Sequence, residues 1–295
     1  MSKYPSFYLT LLPGLLLPVG APLYAAVNDI FPGDYFPQQP GKMGVGIYAY
    51  ERNSSGPYAG GRKLLDGAVD ASILALRVNK AFRVGEAIVA PVMVLPWTHI
   101  DVEPAPLAAL LGAKAQGLAD LRLGVTTWLI NNPDSAHYLG VTAMLVAPTG
   151  DYDSQRIINP GEHRWKMVLG GGWQKDITPR LLVELAPEIA FYGTNDDYAG
   201  GRRLEQEPSF ALTGYLRCRI SPAWHVHLGG QLNRGGETRI ADVDQHNPAN
   251  NDRVTAGLTL FLPQQQIILR AARDTRIDNG LRTDLEIALR YQLYF

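Results

Sequence analysis

The chain has almost no cysteine: Cys218 is the single one in 295 residues. An internal disulfide is thereby excluded, as is a metal centre built on a pair of thiolates. Charge of either sign is not in surplus, with 27 Lys and Arg against 28 Asp and Glu, so the basic face a nucleic-acid binder needs is missing. Beyond about residue 26 no run of roughly 18 apolar residues occurs, which excludes a later membrane helix. No phosphate-binding loop, dinucleotide fingerprint, zinc motif or nucleophile elbow is present. Helical periodicity is scarce as well. Its one exception is Pro104 to Leu118, an Ala/Leu-rich piece expected to form a short helix in a loop.

What the chain does have is a period of two. The C-terminal stretch from Asp284 to Phe295 places Leu285, Ile287, Leu289, Tyr291, Leu293 and Phe295 on one face and Asp284, Glu286, Ala288, Arg290, Gln292 and Tyr294 on the other. One face suits lipid, the other a wet interior, and a terminal aromatic suits an interface girdle. Twelve such strands are expected: Met43–Glu51, Ala68–Lys80, Gly85–Leu95, Ala119–Leu129, His137–Ala147, Trp165–Gln174, Arg180–Tyr192, Ser209–Ile220, Ala223–Arg234, Asn251–Leu262, Gln265–Asp274 and Leu281–Phe295. Gly85–Leu95 and Gln265–Asp274 carry apolar residues on both faces, so their phase stays open.

The connections alternate. Lys80–Val84, Ile130–Ser135, Lys175–Pro179, Ser221-Pro222 and Pro263-Gln264 are short; Arg52–Gly67, Pro96–Leu118, Pro148–Arg164, Gly193–Pro208 and Gly235–Asn250 are long. Short turns on one rim and long loops on the other are the mark of an outer-membrane barrel, and an even strand count returns both ends to the periplasm. Asn279-Gly280 supplies the turn signal for the last hairpin. A soluble β-sandwich would show the same alternation. Turn asymmetry, the terminal Phe295 and charge opposite the apolar face on strand after strand favour an all-β transmembrane antiparallel barrel. In that frame Cys218 reads as a small lipid-facing residue.

The other end reads as an export signal over residues 1–25, with Lys3 near the start, an apolar run from Phe7 to Val19 and cleavage expected after Ala25. A cut after Ala21 is the rival, and an anchor helix is disfavoured because Pro13 and Pro18 break the run. Residues 26–42 form a separate segment, periplasmic leader or plug, before a barrel over 43–295. Partial plugging would let Phe31, Tyr35 and Phe36 offer apolar surface to a solute.

Six stretches together carry a family resemblance: Asn28 to Pro37 followed by Pro40-Gly41; Gly117 to Gly124; Pro148-Thr-Gly-Asp-Tyr-Asp153 joined to Asn159-Pro-Gly-Glu-His-Arg-Trp165; Asn195 to Tyr198; Gly235 to Thr238; and Asn279-Gly280. In this order they resemble the outer-membrane transporter family linked to the meta-pathway of phenol degradation. The resemblance implies a barrel in the outer membrane and uptake of aromatic or other hydrophobic compounds; in a Gram-negative bacterium the uptake is expected to be passive, with no cofactor and no enzyme activity. His163 departs from the family pattern, which more often has Asn there.

Candidate residues follow from strand phase. Arg122, Lys166, Arg180, Glu184, Glu188, Tyr215, Arg217, Arg219 and Arg290 are expected to face the lumen. Both signs occur at similar depth, which points to a mostly occluded lumen with a narrow path. Asp151, Tyr152, Asp153, Glu162 and Arg164 share one long loop, expected to fold itself through Asp and Asn side chains or to turn inward as a constriction; hard-cation binding by its acids is a lesser alternative. His225 and His227 share a face without a further His or Cys cluster, and Ser135 near His137 lacks a nucleophile elbow, so catalysis and metal binding are not expected. A structural or surface-binding barrel with a closed lumen is the alternative function, and an outer-membrane hydrolase a lesser one. Expected partners are the solute, outer-membrane lipid and the barrel-assembly machinery through Phe295; no nucleic acid is expected, and the chain is expected to be a monomer.

Overall fold

A computed structural model describes residues 29–295. The expected export signal lies outside the described residues. Twelve antiparallel strands form a closed barrel. They are β1 Met43–Ala59, β2 Ala68–Lys80, β3 Ala87–Glu103, β4 Leu121–Asn132, β5 His137–Ala147 and β6 Lys166–Asp176, then β7 Leu181–Tyr192, β8 Ser209–Arg219, β9 Trp224–Gly235, β10 Asn251–Leu262, β11 Gln265–Ile277 and β12 Gly280–Tyr294. Each pairs with its neighbours in sequence, and β12 returns to β1 from Gly44↔Tyr294 to Tyr58↔Gly280. Closure is what lipid demands. An unpaired edge in hydrocarbon would leave a row of N–H and C=O groups without partners, each costing several kcal/mol.

Alternation decides what each face meets. On β12 the side chains of Leu285, Ile287 and Leu289 stand exposed, while Glu286, Ala288, Arg290 and Gln292 are buried. Asp284 breaks the expected phase. A bulge opposite Asn53 and Ser54 skips it, so Thr283 turns inward and Asp284 stays exposed. The two strands of open phase resolve in the same way: Ile88, Ala90 and Val92 of β3 and Gln266, Ile268 and Arg270 of β11 point inward. Cys218 falls on the outward face, between exposed Leu216 and Ile220, and is partly exposed. Exposed aromatics mark two levels, with Trp97, Trp165 and Phe210 toward the long-loop end and Phe82, Trp224 and Phe295 at the short-turn end.

Several strands outrun the membrane. β1 continues to Ala59 and β3 to Glu103, well past the expected ends at Glu51 and Leu95. Outward positions such as Asn53 and Ser55 are polar there, so no lipid-facing pattern marks the extension in the sequence. The stretch expected to be helical is helix α1 only over Ala105–Leu111; Lys114–Leu118 is instead a strand paired with the top of β3. The two later long loops are not open coil either. Asn195–Tyr198 and Arg202–Gln206 join Thr238–Ile240 and Val243–Asp244 in a separate four-stranded antiparallel sheet, packed through Tyr198, Leu204 and Ile240.

An outward leucine in mid-membrane tests this orientation. Leu289→Arg is expected to lower barrel stability in lipid vesicles by about 2–4 kcal/mol. The outer-loop change Leu64→Arg is expected to stay within about 0.5 kcal/mol. Denaturant titration of both variants provides the check, and equal effects would contradict the assigned lipid face.

Candidate functional site: the lumen and the segment across it

Inward charges assemble into a network. Glu286 of β12, fully buried, accepts from Arg52 Nε at 2.7 Å and from Arg270 Nη2 at 3.1 Å, and Arg253 lies 3.6 Å away. Arg253 also donates to Asp274 at 2.9 Å. Three guanidiniums around one carboxylate are costly to bury unless each finds further acceptors. Two acceptors for the interior arginines come from outside the wall.

They belong to residues 29–41, which cross the interior. Asp29 takes a bidentate pair from Arg270, at 2.7 and 2.9 Å. Asp34 pairs with Arg290 and lies 3.6 Å from Arg77. Between these two clamps sits Phe31, fully buried. The Arg270 guanidinium stands 4.1 Å from its ring centroid and Arg290 5.1 Å, while Tyr48 meets the ring edge-on at 5.5 Å. On the far wall Gly33 N–H donates to Glu184 at 2.6 Å, and Glu184 pairs with Arg217 at 3.0 Å. Gly33 has φ of +86°, and a Cβ there would lie 3.1 Å from Arg217 Nη1, so this turn favours glycine on two counts.

Backbone and shape complete the seat. Tyr215 donates to Ile30 O and Trp128 Nε1 to Tyr35 O, both at 2.8 Å. The Tyr35 ring lies in a notch made by absent side chains: a Cβ on Gly172 would stand 1.9 Å from Tyr35 Cδ2, and one on Gly140 2.9 Å from its Cδ1. Phe36 is different. It is 55% exposed, meets Tyr138 edge-on and faces the short-turn end.

Spaces remain on both sides of the segment. At the short-turn end a cup of about 620 Å³ opens, walled by Phe36, Arg217, Arg219, His225, Phe261 and Tyr294. A recess of about 60 Å³ lies beside Asp34 and Trp128, and a second of about 60 Å³ lies beyond it among Asp29, Tyr50 and Arg122. Arg77 lines both recesses, so its guanidinium stands at the junction between them. Above, on the long-loop side, an apolar cluster is buried: Leu107 and Leu111 of α1 pack on inward Val69, Ala71, Ile100 and Val102, with Ile158 closing over them.

Of the residues expected in the lumen, Lys166, Glu184, Glu188, Tyr215, Arg217 and Arg290 are buried on the inward face, and Arg122 lines the outer recess. Arg219 lies lower, half-buried and bidentate to Asp176 at 2.7 Å. Arg180 is a correction: β7 begins at Leu181, and Arg180 stays exposed in the preceding turn, where alternation no longer applies.

The long loop divides in function. Asp151 accepts from Leu118 N–H and Asp153 from Gln155 N–H, holding the loop's own fold. Tyr152 receives Asn195 Nδ2 and stacks on His163 at 4.8 Å. Glu162 and Arg164 turn toward the lumen, where Glu162 pairs with Arg164 at 2.8 Å and with Lys166, and Arg164 lies over Tyr192. The acids are therefore not gathered on a cation, and among the described residues no group of three or more metal-ligating side chains occurs. His163 adopts φ of +55°, a conformation Asn tolerates better than most side chains. His137 accepts from Trp173 Nε1 at 2.9 Å, away from Ser135.

Sequence reasoning passed over Asp29, Asp34, Arg77, Trp128, Arg253 and Arg270. Strand phase was the available signal for the wall residues, but β11 carries apolar residues on both faces. Nothing local marks Asp29 and Asp34 as partners of arginines more than 200 positions away.

A closed twelve-stranded barrel with a lipid-facing exterior and a charged interior crossed by its own N-terminal segment is an outer-membrane channel-type barrel. The chain belongs to the family described as "Putative MetA-pathway of phenol degradation", whose model matches residues 52–284. The structure is similar to the crystal structure of an outer membrane channel from Pseudomonas putida F1, at 25% identity and TM-score 0.86, over 90% of this chain and all of that one. The beta domain of a Bordetella autotransporter shares the fold at 12% identity and TM-score 0.52, over 87% of this chain and all of that one. No curated protein matches the chain. The outer membrane is the location this fold implies.

Two measurements probe the network. Glu286→Gln leaves three arginines around a neutral amide and is expected to cost about 3–5 kcal/mol, read by denaturant titration; a cost under about 1 kcal/mol would contradict the central role of Glu286. In the outer loop, burial alone would raise the Glu162 carboxyl, but Lys166 and Arg164 outweigh it and hold it at about 2. The folded value lies below the ordinary 4.5, so this contribution is full above pH 4.5 and is lost as pH falls toward 2. A Glu162 carboxyl midpoint of 4 or higher, followed by carbon NMR, would contradict that pairing.

Proposed function

We propose that the protein is a passive outer-membrane channel for small hydrophobic or aromatic compounds, and that residues 29–41 form a displaceable plug. The observation that carries this reading is the seat of the segment. Asp29, Asp34 and Gly33 are clamped to facing walls by ion pairs and hydrogen bonds, with cavities on either side. Such contacts exchange with water once the segment moves, so the plug can shift without unfolding the barrel. Tyr48 and Tyr50, which line the outer recess, would give a hydrophobic solute its ring contacts, below the buried apolar cluster of Leu107, Leu111 and Ile158. Such a solute would move down its gradient, and no cofactor would be needed. Residues 1–25 would be removed on export, and the outward Phe295 at the end of β12 would serve the assembly machinery. A single barrel with a uniform apolar exterior would act as a monomer.

Planar-bilayer recording on the refolded mature protein tests this. Brief, low-conductance steps are expected from the intact protein, and larger, longer ones after deletion of 29–41. Arg77→Ala is expected to raise the conductance of the plugged form at least twofold by opening the junction between the two recesses. Silence from folded protein in all three forms would sink the channel reading and favour a surface-binding barrel with a closed lumen.

A further inference from the structure

The cup at the short-turn end has a chemistry of its own. Its charged lining is all cationic: Lys42, Arg217 and Arg219 face it, and no Asp or Glu does. Arg219 is fully engaged by Asp176, and Arg217 is held at one end by Glu184. Arg217 Nε, however, is buried and donates to nothing. Three further buried polar atoms of lining residues also stand without partners, Gln38 Nε2, Gln174 Oε1 and His225 Nδ1. Gln174 is 2% exposed and His225 8%. A buried polar atom without a partner costs about 1–3 kcal/mol, so four beside one cup favour small side-chain shifts that present them to an occupant.

Much of the remaining wall is apolar. Phe261 lies against the His225 ring, 4.7 Å between centroids, and Phe36, Leu182, Pro222 and Tyr294 join it, with the uncharged Gln38, Gln39, Gln264 and Gln266 beside them. Aromatic faces opposite a cationic, acid-free rim match a ring that carries an anionic group. The volume lies within the roughly 300–1,000 Å³ of ordinary small-molecule sites.

We infer that the cup is a binding subsite for small aromatic carboxylates, the ring against Phe261 and the carboxylate toward Lys42 and the free edge of Arg217. A ring hydroxyl would find an acceptor in Gln174 Oε1, which suits hydroxylated benzoates. The inference rests on the channel reading for its role, as the last station before release into the periplasm. The site itself stands on the lining alone.

Calorimetric titration of the full mature barrel in lipid nanodiscs tests it, with benzoate, benzyl alcohol and acetate as probes and empty discs as the blank. Benzoate is expected to saturate one site, with benzyl alcohol and acetate each at least tenfold weaker. Lys42→Gln and Phe261→Ala are each expected to weaken benzoate at least threefold, whereas Arg239→Gln in the outer loop sheet leaves it unchanged. Equal affinity for benzoate and benzyl alcohol would remove the anion recognition, and equal affinity for acetate the ring recognition. No saturable benzoate binding, or binding untouched by both cup variants, would overturn the assignment. Conductance of the same preparation separates the two readings: steps without benzoate binding sink the subsite alone, and binding without steps sinks the channel while leaving the subsite.

Discussion

Burial of arginine is the constraint on which the interior depends. Closing the sheet satisfies the backbone in lipid, but it also encloses whatever the inward positions carry. Here they carry Arg52, Arg77, Arg217, Arg253, Arg270 and Arg290, against wall acids that include Glu184, Asp274 and Glu286. An arginine stays charged in any protein environment, so it cannot lower its desolvation cost by losing a proton. Asp29 and Asp34 supply further countercharge at the centre, which makes the N-terminal segment a component of the lumen's electrostatics. Phe31 follows from the same need: its ring faces are taken by Arg270 and Arg290, which trade hydration for a quadrupole.

Shape enforces what charge demands. A charged clamp alone would hold the segment in many registers, because Coulomb attraction falls off slowly with distance. The notch at Gly140 and Gly172 accepts one ring, Tyr35, and a methyl at Gly172 would overlap it. Gly33 likewise allows its turn to pass against Arg217. Strand glycines usually weaken a sheet; these mark where another backbone or ring approaches closely. They divide the work with the ion pairs, one fixing position and the other strength.

Strand number, turn asymmetry and most inward faces were legible because membrane and lumen impose opposite chemistry on alternate residues. Legibility stopped where that contrast stopped. Above the membrane both faces of β1 are polar, so the extension to Ala59 left no trace. Arg180 failed for a related reason, since alternation carries no meaning in a turn. The bulge at Asp284 shows that one inserted residue exchanges faces for its neighbours on one side only. The site was harder than the fold. Tyr215, Arg217 and Arg290 could be phased from their own strands, but the clamp joins residue 29 to 270 and residue 34 to 290, and no local pattern records such a pairing. The aromatic character of Phe31 and Tyr35 was visible, whereas their different fates from Phe36 depend on a turn at Gly33 that only the folded interior selects.

The interior also has a direction. It runs from a dry cluster around Leu107 and Leu111, through a centre of arginines and aromatic rings, to a cup whose charged lining is wholly cationic. A purely apolar conduit would hold a hydrophobic solute at its tightest point, because nothing beyond would compete for it. Passage requires sites favourable enough to enter and weak enough to leave. On the channel reading proposed above, stepwise replacement of aliphatic by aromatic and then aromatic-cationic contacts would provide such a series. The segment lies between the outer cluster and the cup, so on the plug reading proposed above the same residues that neutralise the arginines would also decide when the two communicate.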